Sequence, residues 1–113
     1  MRTLTLSELA GISPQELQRV DDMLEKLVRE RNAEKIVGIV KEYVKRNVRV
    51  LADKRYDRYL RGTVMRLFTE KFIVLVFTTK YGIEVHVFKK TTITPDGLRV
   101  DGVKVLKEII PRK

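Results

Sequence analysis

The residues in this sequence best equipped for chemistry are cations. Lys41, Lys45, Arg46, Arg49, Lys54, Arg55, Arg58 and Arg61 stand within one short stretch that offers only Glu42, Asp53 and Asp57 to balance them. Three carboxylates cannot absorb eight cations by pairing. Cations at helical spacing can neutralise successive phosphates and release the counterions condensed there. Tyr56 and Tyr59 are interleaved with these cations, and Phe68, Phe77 and Phe88 follow on predicted strands. Aromatics beside a basic groove are how sequence-tolerant single-strand binders hold unpaired bases. Taken one at a time, the aromatics read equally well as core and the charge run as a solvated helix face. The candidate binding residues are therefore Lys41, Lys45, Arg49, Arg55, Tyr56, Arg58, Tyr59, Arg61, Arg66, Phe77 and Phe88.

The one histidine, His86, shares a strand face with Glu84 and Phe88. A metal-dependent nuclease could use a carboxylate and a histidine so placed, but it needs further acidic ligands converging there. Asp96 and Asp101 are already explained by the turns Pro95-Asp96-Gly97 and Asp101-Gly102. Cysteine is absent, and with it thiolate metal sites, disulfides and a thiol nucleophile. There is no phosphate-cradling glycine loop and no nucleophile elbow. The expectation is a protein without catalytic residues, metal or cofactor. Residues 6–17 have the flavour of a helix-turn-helix, but the first helix would be under two turns. The second would carry Asp21, Asp22 and Glu25 toward phosphate.

These side chains need elements to hold them. The first helix starts at Ser13 as N-cap with Pro14 at its first position and Glu16 three residues after the cap, the pattern of a capping box, while Ile12 and Leu17 fit a hydrophobic staple. Leu17, Val20, Leu24, Leu27 and Val28 form one apolar stripe and predict a helix over 14–31. Asn32 recaps the chain. Ile36, Val37, Val40, Tyr43, Val44, Val48 and Leu51 keep helical spacing to about residue 51, with Lys41, Lys45 and Arg49 on the outer edge. From Asp53 to Arg61 the cations and tyrosines are expected on a continued or restarted helix, closed by Gly62.

After Gly62 the period changes to two. Residues 63–68, 72–79 and 83–90 predict three strands of an antiparallel meander, with 98–100 and 103–106 as a fourth and fifth; 105–110 reads as strand or short helix. Phe72, Val74 and Val76 face one way, while Ile73, Leu75 and Phe77 face the other, so this strand calls for cover on both sides. Helices can supply one cover. The other implies a subunit interface, in a dimer or tetramer, or a ligand cleft. The fold class is α+β: amino-terminal helices, a helical half over about 13–61, packed on a mainly antiparallel sheet over about 63–110.

Length and composition bound the rest. With 113 residues, 43% of them hydrophobic, the chain is expected to form one domain. Its longest apolar run, residues 72–77, is far too short to cross a bilayer, and no signal-peptide pattern opens it, so a cytoplasmic protein is expected. The net charge of +9 favours a polyanionic partner, since a small basic domain repels itself. Charged residues at 35%, with two Asn and two Gln, suit a protein from a hot environment.

The order of elements, the apolar-aromatic sheet beside basic residues and the cysteine-free, thermophilic composition together resemble the archaeal ThermoDBP-related single-stranded DNA-binding proteins, over residues 13–110. The resemblance is of architecture and transfers no individual residue. It implies a non-catalytic binder of single-stranded DNA or RNA, with little sequence specificity. It also implies a homo-oligomer with bases in an apolar cleft and phosphates on cations. Two other classes compete. An assembly subunit would offer its basic patch to an acidic protein, and a small nuclease would cleave in a metal-dependent way.

Overall fold

The computed structural model describes residues 3–112. Three helices, α1 (Leu6–Ala10), α2 (Pro14–Arg29) and α3 (Ala33–Lys45), precede five strands: β1 (Ala52–Asp57), β2 (Gly62–Phe68), β3 (Phe72–Thr79), β4 (Gly82–Ile93) and β5 (Arg99–Pro111). The strands form one antiparallel sheet in chain order, β1-β2-β3-β4-β5. The fold is α+β, as the change of period after Gly62 predicts. No helix among the described residues is long and apolar enough to cross a membrane.

One core joins the two layers. Leu17, Leu24 and Leu27 of α2 and Ile36, Val40 and Tyr43 of α3 pack with Leu67, Val74, Val76, Val85, Val87 and Leu106 of the sheet. Alternation along β3 shows the consequence: Phe72, Val74 and Val76 are buried beneath the helices, whereas Ile73, Leu75 and Phe77 are half-buried on the other face. Among the described residues no further element covers that second face.

Local chemistry sets the helix ends, with two departures from expectation. Ser13 accepts a hydrogen bond from the Glu16 amide at 3.0 Å, but the Glu16 carboxylate does not return to the cap. It accepts instead from Tyr43 Oη at 2.7 Å and from Arg46 at 2.9 Å, tying the start of α2 to the end of α3. The complete capping box is at α1, where Thr5 and Glu8 satisfy each other's backbone amides. Asn32 caps α3 as expected.

The second departure changes the architecture of the basic segment. Helix α3 stops at Lys45 rather than near 51, because Asn47 takes a left-handed conformation (φ 60°) and the amides of Asn47 and Val48 turn back to the carbonyls of Val44 and Tyr43. Residues 52–57 are then a strand, not a helix. They pair with β2 in the register Ala52↔Leu67 through Asp57↔Gly62. Residues 58–61 form the connecting turn, held by the Asp57 carboxylate accepting the amides of Tyr59 and Leu60. The helical half therefore ends near 45, and the sheet half begins at 52. The stretch read as two carboxyl-terminal strands is also corrected: 99–111 is one strand, with residues 95–97 in the hairpin turn before it and a register shift opposite Val87 and Phe88. Residues 105–110 are strand.

Candidate functional site

The open face of the sheet is built from three rungs of cross-strand neighbours. The first runs Arg55, Val64, Phe77, Glu84, Ile109; the second Asp53, Arg66, Leu75, His86, Lys107; the third Phe68, Ile73, Phe88, Lys104. Because successive residues of a strand point to opposite faces, this register alone gathers side chains from five separate segments. Aromatic rings occupy the middle. His86 lies between Phe77 and Phe88, with ring centroids 5.1 and 6.3 Å away. Cations flank them, with the Lys104 ammonium 5.3 Å from the Phe88 ring centroid and the Arg66 guanidinium 5.3 Å from that of Phe68.

Two carboxylates stand on these three rungs, and each is engaged. Arg66 grips Asp53 with two parallel hydrogen bonds, and this guanidinium holds the Asp53 carboxyl below the usual carboxylate range. Glu84 lies 2.8 Å from His86 Nε2. Arg55, Lys104 and Lys107 have no ion pair among the described residues. The face thus offers half-buried rings in its centre and unneutralised cations toward both edge strands. Among the described residues no group of three His, Cys, Asp or Glu side chains could hold a metal ion.

The residues singled out in the sequence are divided by this geometry. Arg55, Arg66, Phe77 and Phe88 come together on the open face. Arg58, Tyr59 and Arg61 sit in the exposed β1–β2 turn, and Tyr59 is 98% exposed. Arg49, in the loop before β1, donates to Asn47 Oδ1 at 3.3 Å. Lys41 and Lys45 lie on the helix-packed side, as does Tyr56, which pairs with Thr63 at the sheet's edge. Residues 41–61 do not form the single basic helical face expected, because the strand conformation of 52–57 sends Arg55 and Tyr56 to opposite sides. Sequence reasoning did not single out Lys104 and Lys107. Their shared face is hidden by the bulge at Val105, which breaks strict alternation between them. The one available signal was the basic spacing in a segment of ambiguous period.

Compared with known proteins, the chain matches no protein-family model, no curated protein and no solved structure. The site's own geometry carries the functional argument.

Proposed function

We propose that the protein binds single-stranded nucleic acid, DNA or RNA, on the open face of its sheet, without catalysis and with little sequence specificity. The observation that carries this reading is the row Phe68, Phe77, His86 and Phe88 lying between the unpaired cations Arg55 on β1 and Lys104 and Lys107 on β5. Unpaired bases can reach and stack on rings displayed by a flat sheet, whereas the bases of a duplex are stacked on each other and present only their edges. The net charge of +9 adds a long-range attraction. The reading agrees with the resemblance to the ThermoDBP-related proteins and with a role in the cytoplasm, both of which belong to this proposal.

Fluorescence anisotropy with labelled single-stranded and duplex oligonucleotides at two salt concentrations tests it. Tighter binding of the single strand, falling steeply with salt, is the expected result. Phe88→Ala should cost about 1–3 kcal/mol with little change of salt slope, whereas Lys104→Ala should reduce the slope by about 0.7, one phosphate's worth. No affinity for any oligonucleotide would sink the reading and leave an acidic protein as the partner of the basic surface.

Self-association as a dimer or tetramer is part of the same proposal. Strands β4 and β5 pair on to Ile93↔Arg99, whereas the pairing of β3 with β4 ends at Phe72↔Lys89. The result is a two-stranded arm whose Ile93 and Leu98 are more than 60% exposed. Such an arm suits contact with a second copy and leaves the open face free.

A further inference from the structure

The cations of the central basic segment lie on both sides of the sheet, and the hollows of the surface connect them. Beside the last turn of α3, on the helix-packed side, runs a groove of about 570 Å³. Its apolar wall includes Val44, Met65 and Ile83, its cations are Lys41, Lys45 and Lys54, and no carboxylate among the described residues lines it. None of the three lysines has an ion pair among the described residues. A second hollow, of about 860 Å³, lies at the end of the sheet, and Arg61, Lys80, Tyr81 and Arg112 are among the residues that line it. Thr63 and Thr78 line both hollows, so the two adjoin. The end hollow also includes Glu84 and Ile109, the two residues that follow Phe77 on the first rung of the open face.

We propose that a bound single strand does not stop at the open face but turns around this end of the sheet and enters the groove beside α3. Lys41, Lys45 and Lys54 then hold phosphates of the same strand whose bases meet Phe77 and Phe88. This path rests on the reading of the open face as a single-strand site. Charge complementarity over the two adjoining hollows supports this path: among the described residues six cations, three at the sheet's end and three in the groove, stand against one carboxylate already engaged with His86. It also gives Lys41 and Lys45 a role that their distance from the open face otherwise denies them.

Strand length separates the two ideas. The full chain, wild type and with Lys41→Ala, Lys45→Ala and Lys54→Ala combined, is titrated with oligothymidylates of about 6 and about 16 nucleotides, spanning the usual site sizes of single-strand binders. All three lysines are exposed, so the variant is expected to fold as wild type does. For the longer strand the slope of log affinity against log salt should fall by about two, at about 0.7 per lost phosphate contact. For the shorter strand the variant should bind as wild type. A control with Lys26→Ala, Arg29→Ala and Lys35→Ala removes the same charge from exposed helix positions off the path, and should bind both strands as wild type. An unchanged slope on the longer strand overturns the path, as does an equal loss on both strands or an equal effect of the control. Wild-type protein that binds neither strand overturns the open-face reading, and the path falls with it.

Discussion

Glu16 shows how one side chain can serve two elements. Its carboxylate accepts from Arg46 and from the Tyr43 hydroxyl, and these partners hold its pKa below the ordinary value. Burial and the neighbouring carboxylate push the Tyr43 hydroxyl up to about 12, so it is a neutral donor at neutral pH. The linkage has a definite sign. A depressed folded pKa contributes stability that is present above the unfolded value of about 4.3 and is lost as pH falls through the folded value. Glu16→Gln should therefore lower stability by about 1 kcal/mol at neutral pH, since the side chain is about a quarter exposed and partly screened. Urea denaturation at pH 7 and near pH 3 would show the gap between variant and wild type closing in acid; a constant gap would mean that the contact works through shape, not charge.

Among the elements, β1 and the two ends of β4 decide where functional groups go. The Asn47 turn frees residues 52–57 to pair with β2, and backbone pairing then outweighs any local preference of the stretch 53–58 for helix. At the start of β4, Gly82 has φ 148°, and a Cβ there would lie 2.0 Å from the Ile110 carbonyl oxygen on β5. Gly82→Ala must push two paired strands apart and should cost at least about 1–3 kcal/mol. Gly38 is the opposite case, since it stands exposed within α3 with open space around its Cα. Gly38→Ala should stabilise by about 0.5–1 kcal/mol through helix propensity alone. Thermal denaturation of the two variants should move the midpoint in opposite directions; a loss for Gly82→Ala no larger than that of an ordinary surface change would show that β5 gives way freely.

For the whole molecule the asymmetry of the sheet is the central fact. Helices cover one face, and the other keeps its apolar and aromatic groups half-exposed with cations along both edges. Leaving Phe77 and Phe88 without full cover forgoes hydrophobic stabilisation, which a binding partner can recover. The β4–β5 arm poses a separate question about copies of the chain. Replacing Ile93 and Leu98 together by Lys should turn a dimer or tetramer into a monomer in sedimentation while leaving oligonucleotide affinity per chain within a few fold. Wild-type protein that sediments as a monomer at micromolar concentration would remove the oligomer.

The sequence by itself determined the α+β class, the start of α2, the cap at Asn32, the core strand β3 with its two apolar faces and the excess of positive charge. Each rests on local information: a repeat of 3.6 or 2, a capping residue, a count of charges. Only the tertiary structure decided that residues 52–57 are a strand, because Val48 and Leu51 continue the helical spacing past Asn47, whose readiness for the left-handed conformation is the one local sign of a stop. It likewise decided that Glu16 binds Tyr43 and Arg46 instead of its own cap, since both partners come from another helix. The candidate site shows the same division. Arg55, Phe77 and Phe88 were legible as residue types, but Lys104 and Lys107 join them only through the register of β4 with β5 and the bulge between. Pairing across strands depends on long-range backbone hydrogen bonds, and a one-residue slip sends every side chain to the other face. Which cations share a surface is therefore a property of register, which residue spacing along one chain does not encode.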